Sequence, residues 1–212
     1  MREVLLRRWG RGVDYATTWQ AMQAFTQQRS PETQDELWLL EHAPVYTRGL
    51  NAKEPAPKAS IPTVDTDRGG DLTYHGPGQL IVYMLLDLPR MGLGVRHLVS
   101  GMETVVRETL GHFGVVGHAR PGAPGVYVGD AKIASLGLRI RKGYSYHGLA
   151  LNVAMDLGPF SPIAPCGYRG LAMTQLADCG GPKDVDAVAL VLIEALVAHF
   201  QFTLKEDAYD RP

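Results

Sequence analysis

Apolar residues recur along this chain with two periods, and their succession sets the order of elements. Tyr15, Trp19, Met22 and Phe25 fall at helical spacing behind Asp14, a helix-capping residue, and Pro31 closes the run, which predicts a helix over 14–29. Val95, Leu98, Val99, Met102, Val105, Val106, Leu110 and Phe113 form one stripe at a period of 3.6, ended by Gly111 and Gly114. A third helix starts at Asp184 or Asp186 and runs to Phe200, apolar nearly all round and so expected to be well buried. Between the helices, β-rich runs at 37–42, 79–88, 125–128, 132–140 and 144–155 are separated by Gly-Asp and Arg-Lys-Gly punctuation, and the last three read as two adjacent hairpins. The order is strand, helix, strands, helix, strands, helix, without regular βαβ alternation. An α/β fold with a mixed β-sheet flanked by helices is therefore expected, not a doubly wound parallel sheet. No internal repeat is present; the Pro- and Ala-rich stretch 51–62 reads as a surface loop, and residues 1–212 read as a single domain.

Composition narrows the classes. With 45% apolar and 20% charged residues the chain can bury a core, and its 24 glycines and 14 prolines give loops a large share of the structure. A net charge of -1 removes the broad basic field of a nonspecific nucleic-acid or anionic-membrane binder, so neither partner is expected. The longest nearly apolar stretch, 187–200, is broken by Glu194 and falls short of the ~20 residues that cross a bilayer. The N-terminal apolar run stops after three residues at Arg7, without the apolar region of a secretory signal, so a cytoplasmic location is expected. Cys166 and Cys179 have neither CxxC spacing nor a flanking His pair, which indicates no metal site and no disulfide framework.

Three segments carry candidate chemistry. Residues 68–79, Arg-Gly-Gly-Asp-Leu-Thr-Tyr-His-Gly-Pro-Gly-Gln, pack four glycines and a proline around Arg68, Thr73, Tyr74 and His75, as suits a loop pressed against a ligand. It is not a phosphate loop: GxxxxGK[ST] is missing, and the stretch around Gly92 and Gly94 lacks the third glycine of a dinucleotide fingerprint. Cys166 lies between Pro165 and Gly167, the stiff and open setting that a nucleophilic thiol needs, whereas Cys179 stands in a polar turn and reads as incidental. Lys132 shares parity with Ala134, Leu136 and Leu138 in a strand-like run and so points inward, where an ammonium is costly unless partnered. Beside a thiol it would favour the thiolate. His75 and His147 adjoin Gly-rich turns and are the other candidate bases; spacing does not choose between a Cys-Lys and a Cys-His pair.

In order, residues 41–49 (Glu-His-Ala-Pro-Val-Tyr-Thr-Arg-Gly), 68–79, 131–137 (Ala-Lys-Ile-Ala-Ser-Leu-Gly), 147–152 (His-Gly-Leu-Ala-Leu-Asn) and 165–167 (Pro-Cys-Gly) resemble the octanoyltransferases of lipoate biosynthesis. Tyr127 stands where members of that family often carry Trp. The resemblance implies a fold similar to the biotin and lipoate protein ligase catalytic domain. It also implies transfer of an octanoyl group from acyl carrier protein to a lysine of lipoyl domains, those of 2-oxoacid dehydrogenase E2 subunits and the glycine cleavage H protein, with no cofactor. Carried over by position, Cys166 is the acyl-thioester nucleophile and Lys132 the residue that lowers its pKa. Arg68, Gly69, Gly70, Asp71, Leu72, Thr73, Tyr74 and His75, Ser135, Leu136 and Gly137, and Gly148, Leu149 and Ala150 are the substrate-binding positions. A thioester donor needs no ATP, in keeping with the missing nucleotide motifs. The rivals are an ATP-dependent lipoate or biotin ligase, an amidotransferase moving acyl chains between lipoyl-bearing proteins, and a noncatalytic carrier-domain binder.

Overall fold

The structure is a computed structural model that describes residues 2–53, 55, 57, 60–163 and 170–206. Among these residues eleven strands and four α-helices follow in the order β1 (Arg2–Val13), α1 (Tyr15–Gln28), β2 (Asp35–His42), β3 (Val45–Arg48), β4 (Thr63–Asp65), β5 (Leu72–His75), β6 (Gln79–Leu85), α2 (Leu88–Met91), α3 (Val95–His112), β7 (His118–Ala119), β8 (Val126–Val128), β9 (Ala131–Arg141), β10 (Tyr144–Asn152), α4 (Val185–Phe200) and β11 (Phe202–Glu206). Eight strands form a mixed sheet in the order β11-β1-β2-β6-β10-β9-β8-β7, and β4-β3-β5 form a small second sheet. The two expected hairpins are β8–β9 and β9–β10. Lys142 and Gly143, both at positive φ, make the two-residue turn of the second.

Alternation along the central strands explains the layers. Leu37, Leu39, Leu80, Val82, Met84, Leu149 and Leu151 point to one face, where α3 and α4 cover them with Leu98, Met102, Val105, Leu192 and Leu196. Trp38, Leu40, Ile81, Tyr83, Leu85 and Ala150 point to the other, where α1 lays down Met22. Because β2 and β6 are buried on both sides, they read as apolar runs. Two predicted strands end early: 79–88 stops at Leu85 because Asp87 caps the short α2, and 144–155 leaves the ladder at Asn152. Among the described residues no helix is long and apolar enough to cross a membrane.

The main and small sheets meet at a buried polar joint. His42, at the end of β2, donates from Nδ1 to the Val13 carbonyl oxygen (2.9 Å), so its Nε2 accepts from the Tyr83 hydroxyl (2.7 Å). Gln79 gives its Nε2 to Asn152 Oδ1 (2.9 Å), so its Oε1 must accept, and His75, at the end of β5, donates to it from Nδ1 (2.7 Å). The Tyr15 ring of α1 lies against both, with centroids 5.0 Å from His42 and 5.9 Å from His75. Burial disfavours the imidazolium in each and lowers His42 to about 4 and His75 to about 3.

The joint makes stability depend on pH. An unfolded histidine takes its proton near ~6.5, so below that pH the unfolded chain holds protons that these two sites refuse until pH approaches about 4 and about 3. Stability is full at neutral pH and falls as pH drops through this window, with a pair contribution on the order of 3 kcal/mol between pH 7 and 5. Urea unfolding at the two pH values checks this. His42→Gln should reduce the pH slope by about one proton; an unchanged slope would refute the assignment.

Candidate functional site

The cleft is built around a place where the sheet has no side chains. Gly137 of β9 and Gly148 of β10 stand directly opposite each other. A Cβ on Gly148 would meet the Val82 carbonyl oxygen at 2.1 Å, and one on Gly137 would meet the Gly69 carbonyl oxygen at 3.1 Å. The bare patch lets the loop before β5 lie on the sheet, where Gly69 donates its N–H to the Leu138 carbonyl oxygen (2.9 Å). Arg68 braces that loop: its guanidinium donates to the carbonyl oxygens of Thr47 (2.6 Å), Gly69 (3.0 Å) and Asp71 (2.7 Å) and to Thr47 Oγ1.

Between loop, sheet and α1 opens a cleft with about 520 Å3 of space, its mouth included. Arg68, Gly70, Asp71, Leu72, Thr73, His75, Ser135, Leu136, Gly137, Gly148, Leu149 and Ala150 all line it, together with Tyr15, Ile81, Tyr83 and His147. Segments from Tyr15 to Ala150 thus converge. Two expected positions differ. Tyr74 packs its ring under the small sheet with Tyr46, Phe160 and Ile163, because it alternates with Thr73 and His75 along β5. Gly69 contributes its backbone contact to β9 and does not line the cleft.

Lys132 is fully buried, as its parity requires. Its Nζ donates to the Pro124 carbonyl oxygen (2.9 Å) and lies 5.1 Å from the centre of the Tyr127 ring. Gly125 makes room for it, since a Cβ there would come within 2.9 Å of Lys132 Cε. The Lys132 backbone is paired on both sides of Met173: its N–H donates to the Ala172 carbonyl oxygen (2.8 Å), and its carbonyl accepts from the Thr174 N–H (2.9 Å). Cys166 lies outside the described residues. Cys179 sits in the 3-10 turn Leu176–Cys179, half-buried against the main core, with Sγ 3.7 Å from Thr174 Oγ1.

The two candidate histidines part company. His75 belongs to the joint, from which hydrogen bonds run through Gln79 and Asn152 to the Thr174 carbonyl oxygen (2.9 Å), at the Lys132 end of β9. His147 stands opposite Leu138, six residues along β9 from Lys132, or about 20 Å at the strand rise of ~3.4 Å. It donates from Nε2 to Asp67 Oδ1 (3.1 Å). Burial lowers its pKa, although the carboxylate pulls the other way. Asp67, not singled out in the sequence, is the hub here. Burial pushes its carboxyl up, but donors from His147, Tyr146 and Trp19 outweigh that and hold it well below the usual carboxylate range. Burial and this carboxylate in turn push the Tyr146 hydroxyl far up.

Comparison with known proteins identifies the family and the fold. The model of the lipoyl protein ligase A/B catalytic domain matches residues 14–201. An octanoyltransferase from Xylella fastidiosa (strain 9a5c) is 53% identical over 205 residues, covering 96% of this chain and 89% of its own length. One from Pseudomonas putida (strain W619) is 56% identical over 190 residues, covering 89% and 88%. Among solved structures, lipoate-protein ligase A bound with ATP superposes with a TM-score of 0.78 at 18% identity, over 98% of this chain and 89% of that one. Biotin protein ligase from Aquifex aeolicus gives 0.55 at 11% identity, over 94% and 69%. The two superpositions support the expected mixed sheet flanked by helices, and the close sequence relatives go further: the chain belongs to the lipoyl protein ligase A/B catalytic domain family and, within it, to the octanoyltransferases.

Proposed function

We propose that the octanoyl group is taken from an acyl carrier protein thioester, held on Cys166, and passed to a lysine of a lipoyl domain, with Lys132 moving the protons. The observation that carries this is Lys132 itself: an amine-bearing side chain buried in full, at the start of the strand β9 that lines the cleft, whose backbone is bonded to residues 172 and 174 of the segment that follows Cys166. A chain that pairs with Lys132 a few residues after the cysteine is consistent with the two side chains meeting.

The steps balance without a cofactor. The Cys166 thiolate attacks the thioester carbonyl, the bond to the carrier sulfur breaks, and the leaving thiolate takes a proton from the Lys132 ammonium. The neutral Lys132 amine then removes a proton from the incoming lysine as its nitrogen attacks the acyl-enzyme. An amide forms and the Cys166 thiolate is released. The substrate arrives already activated, so ATP has no part, in contrast to the ligase that this fold also serves. The acceptors in this reading are lipoyl domains of 2-oxoacid dehydrogenase E2 subunits and the glycine cleavage H protein.

Intact-mass measurement after mixing with octanoyl carrier protein tests donor and nucleophile together. An octanoyl adduct is expected on the wild type and on Cys179→Ala, and none on Cys166→Ala, whose transfer rate should fall by about 10^3-fold or more. An adduct that survives in Cys166→Ala defeats the assignment.

The role of Lys132 is tested through the pH profile of thiol alkylation. In this reading an ammonium beside the sulfur would favour the Cys166 thiolate over the thiol. Lys132→Met should move the profile to higher pH and cut acyl transfer by ~10^2-fold or more, because the proton carrier is lost as well. If Lys132→Met leaves the profile in place and His75→Gln shifts it, the pair is Cys-His.

A further inference from the structure

The oxygen that receives Lys132 belongs to a peptide that is held from its other side as well. Lys132 Nζ donates to the Pro124 carbonyl oxygen (2.9 Å), and the N–H of the same peptide unit, that of Gly125, donates to Glu103 Oε1 (3.0 Å). No peptide bond among the described residues is cis. This carbonyl and N–H therefore point in opposite directions, and the carboxylate and the amine take the unit from opposite edges. Glu103 stands on α3 next to Met102, which goes into the main core, and reaches the loop before β8 half-buried.

A peptide beside a glycine turns over easily unless something holds it. Gly125 sits at φ +133, and a Cβ there would stand 2.6 Å from the Ala134 carbonyl oxygen and 2.9 Å from Lys132 Cε. The residue that makes room for the lysine arm thus also lacks the side chain that would restrain the Pro124–Gly125 unit. A turned unit would present its N–H to Lys132, which as an ammonium has only donors. The bond to Glu103 opposes that turn. It also polarises the unit, since hydrogen bonds in a chain strengthen one another and an ionised acceptor on the N–H makes the carbonyl a better acceptor for Nζ.

Two further ionisable groups flank the amine. The Tyr127 ring lies 5.1 Å from Nζ and turns its hydroxyl to the Ala123 carbonyl oxygen (3.2 Å), and Arg120, 4.3 Å over that ring, pairs with Asp130 (2.7 Å). The segment bonded to the Lys132 backbone, Ala172, Met173 and Thr174, brings no titratable side chain.

We propose that Glu103 is a positioning residue for octanoyl transfer: through the Pro124–Gly125 peptide it fixes the carbonyl that seats the Lys132 amine and strengthens the hold of that carbonyl on the ammonium. The inference rests on the reading of Cys166 and Lys132 as a working pair.

Glu103→Gln keeps the shape and an acceptor oxygen and removes the charge; Glu103→Leu removes the acceptor too. Each is made in the wild type and in Lys132→Met, and two quantities are read: the pH midpoint of Cys166 alkylation and kcat/KM for octanoyl transfer. The sign of the first separates two routes. Deleting a carboxylate near a thiol favours the thiolate directly and lowers the midpoint, whereas loosening the ammonium raises it. Both variants should raise the midpoint, and kcat/KM should fall ~3-fold in Glu103→Gln and ~10-fold in Glu103→Leu, the scale of one charge-assisted hydrogen bond. In Lys132→Met the upward shift should be gone and kcat/KM should change by less than ~2-fold, because the two residues act as one unit. A folding defect lowers kcat/KM by the same factor in both backgrounds, and Glu103→Gln, which changes no shape, decides if Glu103→Leu does not fold. A midpoint that falls, or a loss that persists in full in Lys132→Met, overturns the proposal. If Lys132→Met moves both quantities and neither Glu103 variant does, the pair stands and the role of Glu103 is lost. If Lys132→Met itself moves neither, the pair is wrong and the proposal falls with it.

Discussion

Everything in the cleft depends on backbone meeting backbone where Gly137 faces Gly148. At Gly148 no side chain fits, because an ideal Cβ would stand 2.1 Å from the Val82 carbonyl oxygen, and at Gly137 it would press on the Gly69 carbonyl oxygen at 3.1 Å. The glycine pair gives up side-chain packing in the middle of a sheet. In return the loop of residues 68–71 settles on β9, and a long thin apolar ligand has a surface without protrusions to lie on. Arg68 then ties the loop to β3 through Thr47 and to itself through the Gly69 and Asp71 carbonyls. Its charge serves to hold backbone in place.

The polar groups around this surface are arranged so that none of the histidines carries charge near neutrality. His42 and His75 each give Nδ1–H to an oxygen, and burial does the rest. Asp67, at the far end, is kept ionised by three donors. Lys132 lies at the other end with its amine against a carbonyl and an aromatic face. The glycine floor thus lies between a buried carboxylate cluster at one end of β9 and a buried amine at the other.

Periodicity alone located α1, α3 and α4 to within a residue or two and the central strands nearly as well. Strands β2 and β6 were legible because both faces are buried. Strand β1 was not: Arg7, Arg8 and Arg11 look like a solvated segment until Glu36, Glu206 and Glu41 arrive from distant parts of the chain to pair with them. The four-residue β3 and β5 are too short to show a period. The inward turn of Lys132 followed from parity. Asp67 did not, although it immediately precedes the Arg-Gly-Gly motif, since its partners Trp19, Tyr146 and His147 are 48, 79 and 80 residues away. Tyr74 belonged to the right motif, but a strand shows only every second residue to one side, and its side is the small sheet's core.

The ends of the eight-stranded sheet have a consequence for how such a protein behaves in a crowd. One edge is β7, two residues long. The other is β11, five residues whose outward positions include Lys205 and Glu206, both exposed. An edge that is short, or studded with charge, offers a poor template for another chain to extend the sheet. The long, flat, apolar strands β2 and β6 that would be most prone to such pairing lie in the middle of the order, each with a neighbour on both sides. The same strand order that puts the glycine floor next to the centre thereby keeps the stickiest backbone out of reach, and leaves resistance to aggregation to the two edge strands.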